Sequence, residues 1–366
     1  FFILAGEIMN AGGISKRIIH FASTLVGHIR GGLGYVTVIA GLIFAGLSGS
    51  AVADTAALGA ILIPMMANKG YNVRRATGLV ASSGLIAPIM PPSIGLIMYG
   101  VIGGVSITQL FMAGIVPAVI FAVGLSVVWY IFAKKDNLPT TPKATNKERL
   151  DAFLQAIWAL VLPFIIIFGI RGGIFTPTEA AVVAAVYALV ISLTVYRKEF
   201  KISQIPQVFV NTVKTTGVVM FLAASAMVSA WVITVAQVPA ELGAFISGLT
   251  DNPTIILLLV MVMLLLVGTV MDMTPAILIF TPVLLPVVQA AGIDPVFFGV
   301  LMIINLTIGL ITPPVGTVLF VAAGISKLSI VDVTKGIWPF LLMYVIILLL
   351  LALFPQIILT PLQWLL

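Results

Sequence analysis

Two clusters of small and helix-breaking residues interrupt the most apolar parts of this sequence and are its candidates for binding chemistry. The first comprises Gly46–Thr55 followed by Ala87–Ser93, and the second comprises Gly268–Pro275 followed by Leu310–Thr317. Such residues expose backbone carbonyls and hydroxyls, which are rare at membrane depth unless they line a binding cavity. Both clusters therefore predict a ligand site inside a bilayer.

Exposed carbonyl and hydroxyl oxygens suit a hard cation such as Na⁺, and the free N–H groups of half-helices suit a carboxylate substrate. We therefore predict one cation site in each cluster and a substrate between them. The predicted cation ligands are Ser48, Gly49, Ser50, Pro88 and Ser93 in the first cluster, and Gly268, Thr269, Asp272, Thr312 and Gly316 in the second. The predicted substrate region comprises Asp54, Thr55, Pro91, Pro92, Thr274, Pro313, Pro314 and Thr317.

Asp54 and Asp272 are the acidic residues that we place at membrane depth, where carboxylates are costly and usually functional. Asp272 corresponds to Ser50 in the repeat described below, so we expect it to bind the cation or to orient a ligand. Asp54 has two open interpretations, as part of the site or as the cap of the following helix. Arg171, on the predicted outer face, is interpreted as a contact for the substrate or a protein partner, or as an interfacial anchor.

The composition assigns the chain to the helical membrane proteins. Of its 366 residues, 61% are hydrophobic and only 8% are charged, and the stretch Ala76–Ala133 contains no Asp, Glu, Lys, Arg or His. Since about 20 consecutive apolar residues span a bilayer, the sequence predicts an all-α, polytopic membrane protein. The net charge of +6 lies in short loops, where it indicates orientation rather than nucleic-acid binding. The absence of cysteine excludes thiolate metal sites.

The two clusters belong to an internal repeat. Six pairs of glycines or prolines are separated by the same 222 positions: Pro64 and Pro286, Gly70 and Gly292, Pro91 and Pro313, Pro92 and Pro314, Gly114 and Gly336, and Pro117 and Pro339. A bias in composition could produce coincidences of this kind, but six pairs at one offset favour a true repeat.

The charges predict that the two copies have opposite orientations in the membrane. The first copy has basic residues in Gly13–Arg30 and Lys69–Arg75. The matching places in the second copy, Pro239–Asn252 and Gly292–Pro295, contain acidic residues and no Lys or Arg. Because positive residues mark the cytoplasmic side, the repeat is predicted to be inverted.

Each copy is predicted to contain a hairpin followed by a broken helix. In the first copy, the limbs Leu33–Leu47 and Asp54–Ala67 are joined by a tip at Ser48–Ser50. Each limb would extend about 22 Å, less than a hydrocarbon core of about 30 Å, so we expect a re-entrant hairpin. The next helix, Val73–Gly103, is expected to unwind at Ala87–Ser93.

The second copy is predicted to contain the corresponding elements. They are an outer arm at Pro239–Leu249, a hairpin at Thr254–Ala290 with its tip at Gly268–Thr274, a helix at Pro295–Ser326 unwound at Leu310–Gly316, and a last helix at Gly336–Phe354.

Between the copies we expect a cytoplasmic linker and crossing helices. The linker is placed at Lys134–Arg149, and the helices at Asp151–Phe168, Ala180–Tyr196 and Asn211–Ala236. Thr176–Glu179 predicts a capping box with proline at the first helical position, so Glu179 is predicted to begin a helix rather than to act as a catalytic acid. The predicted domains are a scaffold helix end and interfacial arm (1–30), the first repeat (31–133), the linker (134–155), scaffold helices (156–236) and the second repeat (237–366).

A family resemblance rests on these motifs. The run Gly46–Gly59, GLSGSAVADTAALG, closely resembles the signature of the large membrane subunit of TRAP (tripartite ATP-independent periplasmic) transporters. Pro91–Ser93 and Thr312–Pro314 resemble the paired motifs of that family, and the resemblance covers essentially the whole chain. Family members usually carry further hydrophobic sequence ahead of the position where this chain begins, so we expect the first scaffold helices to precede Phe1.

The resemblance implies an elevator-type secondary transporter of the bacterial inner membrane, driven by a sodium gradient with two or more Na⁺ per cycle. It also implies two partners, a small four-helix membrane (Q) subunit and a periplasmic protein that delivers the substrate. The sequence around Ser82–Tyr99 looks most like subunits that carry sialic acid. A C4-dicarboxylate is the alternative substrate.

Two other classes stay open at this stage. A self-sufficient relative, such as a divalent-anion symporter or a proton-coupled exchanger, would share the architecture but need no binding protein. A membrane-embedded enzyme would need a catalytic dyad or metal cluster at depth, whereas the sequence has no His-Glu-x-x-His pattern, and both histidines, His20 and His28, lie on the basic arm. We therefore predict translocation, in which the part of the chain that carries the sites moves as a body against a fixed scaffold.

Overall fold

The computed structural model describes residues 1–237, 241, 248, 250 and 252–365. The predicted outer arm at Pro239–Leu249 lies outside the described residues, apart from Glu241 and Gly248. The described part of the chain is all-helical and contains no strand. The helices, numbered here in chain order, are α1 (Phe2–Ala11), α2 (Ile14–Val26), α3 (Gly32–Ser48), α4 (Ala51–Asn68), α5 (Val73–Gly84), α6 (Ile94–Gly103), α7 (Ile107–Lys135), α8 (Asn146–Arg171), α9 (Pro177–Thr194), α10 (Ile205–Val235), α11 (Pro253–Val270), α12 (Met273–Ala290), α13 (Pro295–Gly309), α14 (Thr317–Ser326), α15 (Ile330–Leu353) and α16 (Gln356–Leu365).

Within these residues, eight helical segments are long and apolar enough to cross a membrane. The prediction of an all-α, polytopic membrane protein is therefore confirmed.

The helix boundaries repeat at the spacing seen in the sequence. Helix α4 spans Ala51–Asn68 and α12 spans Met273–Ala290, so both of their ends lie 222 positions apart. Helices α5 and α13 also begin 222 positions apart, each directly after a capping side chain, Asn72 or Asp294. The same local chemistry therefore starts and stops the corresponding helices of the two copies.

Both predicted helix breaks are present. The residues Leu85–Ser93 between α5 and α6 are non-helical, so the break begins two residues before the predicted Ala87–Ser93. The residues Leu310–Gly316 between α13 and α14 are non-helical as predicted. Each break contains a Pro-Pro pair, Pro91–Pro92 or Pro313–Pro314, and proline ends a helix because it lacks an N–H donor and its ring clashes with the preceding turn. We call these segments the first break and the second break.

Both hairpins form, but their tips are shorter than predicted. Only Gly49–Ser50 (the first tip) and Met271–Asp272 (the second tip) are non-helical. The tip residues Ser48, Gly268, Thr269 and Thr274 are instead helical. In the first hairpin, α4 also begins at Ala51 instead of the predicted Asp54, because Ser50 Oγ caps it by accepting a hydrogen bond from the backbone N–H of Ala53 at 3.4 Å.

The hairpin limbs are correspondingly longer than predicted. Helices α3 and α4 have 17 and 18 residues, and α11 and α12 have 18 each. An 18-residue helix extends about 27 Å, and α4, α11 and α12 are among the helices long enough to cross a membrane. Re-entrance of the hairpins stays a prediction.

The connecting helices start earlier than predicted. Helix α8 begins inside the predicted linker because Thr145 and Glu148 form a capping box. The predicted box at Thr176–Glu179 is confirmed, with Thr176 N donating to Glu179 Oε2 at 2.8 Å. Helix α10 begins at Ile205, six residues before the predicted Asn211.

The end of the chain also differs from the prediction. Helix α15 begins at Ile330 rather than Gly336, since Ser329 Oγ caps it by accepting from Asp332 N at 3.1 Å. The additional helix α16 follows Pro355 and packs against α7.

The two copies interlock through their half-helices. Helix α6 packs on α12 of the second hairpin, and α14 packs on α4 of the first. A Cβ atom added at Gly95 would lie 3.3 Å from Met273 Cε, and one added at Gly59 would lie 3.1 Å from Ile325 Cδ1. We call α3–α7 with α11–α15 the core. The flanking helices α1, α2 and α8–α10 contact one another and border this core, with α10 lying against α12.

Candidate functional site

The first tip lies directly against the first break. The chain turns at Gly49, whose φ of 63° is in the left-handed region that favours glycine. A Cβ atom added there would lie 2.6 Å from the carbonyl oxygen of Pro92 and 3.2 Å from the backbone nitrogen of Ile94. Glycine therefore permits a backbone-to-backbone contact that joins the two predicted parts of the first site.

Ser48 links the two limbs of the first hairpin. Its hydroxyl donates a hydrogen bond to Asp54 Oδ1 and accepts one from the backbone N–H of Ser50 at 3.1 Å. Asp54 is fully buried, and its Oδ2 atom has no hydrogen-bond partner in the described structure. Because Ser50 caps α4, the interpretation of Asp54 as the helix cap is wrong.

The buried oxygens beside Ser48 fit a cation. Besides Asp54 Oδ2, the hydroxyl of Thr55 is buried without a partner among the described residues and faces Gly84 at the end of α5. Burying a carboxylate without compensation is costly, and a hard cation takes such oxygen ligands. The donor set at this tip therefore suits Na⁺.

Ser93 closes the first break. Its hydroxyl donates to the carbonyl of Pro88 and accepts from the backbone N–H of Leu96 at 3.2 Å, which caps α6. Pro91, Pro92 and Ser93 are buried. The other N–H groups of the first turn of α6 point towards the break and have no intrahelical acceptor.

The second hairpin is joined to the second break and to the start of α14 by hydrogen bonds beside its tip. The backbone N–H of Val315 donates to the carbonyl of Thr269 at 3.1 Å. The hydroxyl of Thr317, at the start of α14, donates to Asp272 Oδ1 at 3.1 Å. A Cβ atom added at Gly268 would lie 3.3 Å from the Cα of Gly309. The predicted residues of the second cluster are thus also brought together.

The two sites differ in their exposure. Asp272 and Pro313–Val315 are exposed, in contrast to the buried first break. The hydroxyl of Thr269 donates to the carbonyl of Leu266 at 2.7 Å, and that of Thr312 donates to the carbonyl of Ile308, near the end of α13, at 2.8 Å. Only the lone pairs of these two hydroxyl oxygens are therefore left for a ligand. Gly316 has a φ of 39° and directly precedes α14.

A cavity of about 300 Å³ beside the first tip was missed by the sequence interpretation. It is lined by Ser48 and Ser50 of the hairpin and by Glu7 and Asn10 of α1, with Thr215 of α10. Asn211 Nδ2 donates to Glu7 Oε2 at 3.4 Å. The sequence signal for this cavity is a carboxylate and an amide about one turn apart, Glu7 and Asn10, in an otherwise apolar segment.

Arg171 is separate from both clusters. Its guanidinium donates to the carbonyl of Trp364 in α16 at 3.1 Å. This contact fastens the last helix to the end of α8 and favours the interpretation of Arg171 as an anchor.

The fold contains two interlocked copies of a hairpin and a broken helix, and polar residues lie where the helices are interrupted. Such repeats are typical of polytopic helical membrane transporters. A family model described as "Tripartite ATP-independent periplasmic transporter, DctM component" matches residues 1–357. The chain belongs to this family, as the large membrane subunit.

Individual relatives agree with this assignment. The chain is 59% identical over 365 residues to a putative TRAP transporter large permease protein of Haemophilus influenzae. The alignment covers 100% of this chain and 90% of the relative. It is 52% identical over 364 residues to the 2,3-diketo-L-gulonate TRAP transporter large permease protein of Escherichia coli, covering 100% of this chain and 85% of the relative. It is 41% identical over 356 residues to the sialic acid TRAP transporter large permease protein of Vibrio cholerae, covering 97% and 83%.

The family membership confirms the expected class of protein. TRAP large permeases are multi-pass inner-membrane transporters and not enzymes, and they work with a small permease and a periplasmic binding protein. The tripartite system is thus favoured over the self-sufficient alternative.

Proposed function

We propose that this protein takes up a carboxylate-bearing sugar acid across the bacterial inner membrane, driven by a sodium gradient, with the substrate delivered by a periplasmic binding protein. The observation that carries this proposal is the direct contact of each hairpin with the helix break of the same repeat. Gly49 of the first tip makes this contact with Pro92, and Thr269, one residue before the end of α11, makes it with Val315. A ligand bound at either contact would hold a tip and a break together.

The first sodium site is proposed at the side chains of Ser48, Ser50, Asp54 and Thr55, with carbonyls of the first tip and break. Asp54 Oδ2 and Thr55 Oγ1 are two of the buried side-chain oxygens that have no partner among the described residues, and they are the two that belong to the predicted site residues, which supports assigning both to this site instead of to the predicted substrate region. The second site is proposed around Asp272, with the carbonyls and hydroxyls of Thr269 and Thr312. When bound, Na⁺ would neutralise the carboxylates, and the chain's own residues would supply the oxygen ligands.

The substrate carboxylate is proposed to lie between the breaks, at the N-terminal ends of α6 and α14. Free N–H groups and the helix dipole favour an anion there. Burial of the first break and exposure of the second leave the substrate accessible from the side of Pro313 and Pro314.

Two relatives with named substrates support this class of substrate, whereas two others, 39% and 36% identical, are named for C4-dicarboxylates, the alternative class. Both 2,3-diketo-L-gulonate and sialic acid are sugar-derived carboxylates. We retain sialic acid as a candidate, although the relative named for 2,3-diketo-L-gulonate is the more similar of the two.

The proposed mechanism is an elevator movement. Sodium binding orders the tips against the breaks and completes the substrate site, and the core then moves across the membrane against the flanking helices. A ligand shifts such an equilibrium only by binding one state better than the other. Sodium and substrate must therefore bind most tightly when the tips are seated.

The test is uptake by proteoliposomes that contain the large and small subunits, with the binding protein outside. We expect uptake of labelled sialic acid or 2,3-diketo-L-gulonate, rather than succinate, and only with an inward sodium gradient. Asp272→Ala should abolish this uptake without loss of folded protein. Ser50→Gly should also abolish it while preserving most of the helix cap, whereas Ser50→Thr, which keeps the hydroxyl, should retain activity. Uptake that survives collapse of the sodium gradient, or in both Asp272→Ala and Ser50→Gly, would overturn the proposal.

A further inference from the structure

A polar passage leads away from the first tip along α1 and α10. The cavity beside Ser48 and Ser50 shares Glu7 and Asn10 with a second cavity of about 270 Å³. The second cavity extends past Asn211 to the beginning of α10, where Gln204 and Gln207 line it. Two adjacent cavities that share Glu7 and Asn10, both lined in part by carboxylate, amide or hydroxyl groups, therefore lie between the tip and one end of the flanking helices.

The opposite side of the same tip is bordered mainly by apolar residues. A cavity of about 290 Å³ shares Ile3 and Ile94 with the first one and is lined mainly by apolar side chains, including Phe1, Met98 and Val101, with the hydroxyls of Thr178 and Thr216. Carboxylate and amide groups therefore continue from the tip on the side of Glu7 and are absent from the lining of this cavity.

The polar side is the side predicted to face the cytoplasm. Gln204 lies three residues after the basic turn Arg197–Lys201, and basic loops lie on the cytoplasmic side. The apolar cavity instead includes Pro177 and Thr178, at the start of α9, which is the predicted outer end. In the predicted orientation, the cavities of Glu7 therefore lie between the tip and the cytoplasmic face.

Glu7 gives this passage its charge. No ion pair involves Glu7 in the part of the chain that the structure describes. The guanidinium of Arg17, on the neighbouring α2, is held by Glu199 at 2.7 Å and lies 4.0 Å from the ring centre of Tyr196. In these cavities the Glu7 carboxylate therefore lies among amide and hydroxyl groups, whose oxygens suit a hard cation.

From this geometry we infer that the passage is a sodium-attracting vestibule between the first tip and the cytoplasm, with the Glu7 carboxylate as its cation-binding group. The inference rests on the proposed function. Sodium released from Ser48 and Asp54 passes Glu7, and sodium on the cytoplasmic side returns by the same path. Glu7 belongs to a flanking helix, so it serves the tip only while the core is in the position seen here.

The inference predicts a specific effect on inhibition by internal sodium. Sodium inside the vesicle should inhibit uptake by rebinding at the tip, and Glu7 should raise its local concentration. In the reconstituted complex, Glu7→Gln should raise the internal sodium concentration for half-maximal inhibition by about tenfold, equivalent to about 1.4 kcal/mol. The external sodium concentration for half-maximal uptake should not change. Binding protein supplied only outside restricts the assay to one orientation.

Three variants serve as controls. Glu7→Asp keeps the charge and should stay close to the unmodified protein. Asn10→Asp adds a second carboxylate to the same cavity and should strengthen inhibition by internal sodium. Glu179→Gln removes a carboxylate that caps α9 outside this cavity and should have no effect.

The outcomes separate the two proposals. Sodium-driven uptake with an unchanged internal inhibition constant in Glu7→Gln would overturn the vestibule. A change confined to the substrate concentration for half-maximal uptake would also overturn it, because Glu7 would then contact the substrate. Uptake by the unmodified complex that ignores sodium on both sides would overturn the proposed function itself.

Discussion

Replacing Gly49 with alanine should separate the first tip from the first break. Alanine would have to adopt the φ of 63° found at this position, and the left-handed conformation costs an L-residue about 1–2 kcal/mol. The new Cβ would also lie 2.6 Å from the Pro92 carbonyl oxygen. Because that neighbour is backbone, relief requires a shift of the tip, and overpacking of this kind costs about 1–3 kcal/mol. We expect a total loss of about 2–5 kcal/mol in the free energy of unfolding.

Gly70→Ala is the matched control. Gly70 has a φ of 79°, but a Cβ atom added there meets nothing within 4 Å. It should therefore show only the conformational cost of about 1–2 kcal/mol and retain uptake. The difference between the two variants isolates the contact with Pro92.

The assay combines denaturant unfolding of the purified protein with sodium-driven uptake in proteoliposomes. Gly49→Ala should unfold at lower denaturant concentration than Gly70→Ala and should lose uptake, with a raised sodium requirement in any remaining activity. If the two variants were equally stable and equally active, the tip would not be seated on the break and our account of the first site would be wrong.

Three further substitutions test other parts of the fold. Thr176→Ala should lower the free energy of unfolding by about 0.5–2 kcal/mol by removing the capping box of α9 but leave uptake intact; an inactive but folded variant would contradict a purely structural role. Tyr344→Phe removes a buried hydrogen bond of 2.7 Å to the carbonyl of Ser82, which still accepts from the backbone N–H of Leu85 at 3.2 Å, and should cost about 0.5–1.5 kcal/mol in denaturant unfolding; unchanged stability would refute this. Arg171→Ala should change stability by no more than about 0.5 kcal/mol and preserve the substrate affinity seen in uptake, whereas a large loss of affinity would indicate a substrate contact.

The repeat, the helix breaks and the capping box could be predicted from the sequence because each depends on local chemistry. A Pro-Pro pair interrupts a helix wherever it lies, and the spacing of Pro91 and Pro313 carries over to the helix boundaries. Several predicted helix starts were wrong because a single capping side chain, and not the apolar pattern alone, determines where a helix begins. Because Ser50 caps α4, that helix begins at an earlier residue than predicted, and Ser329 has the same effect on α15.

Tertiary structure decided which of the polar residues meet. The close approach of Gly49 to Pro92, and the pairing of Thr317 with Asp272, join segments separated by loops and whole helices, and no local pattern encodes those distances. The cavity of Glu7 depends on α1 and α10, which are almost two hundred residues apart in the chain. By itself, the sequence determined where the helices must stop and that oxygens are exposed there, because backbone hydrogen bonding is local. Only the packing of distant helices determined that Asp54 keeps a buried oxygen without a partner, because burial is a property of the whole assembly of helices.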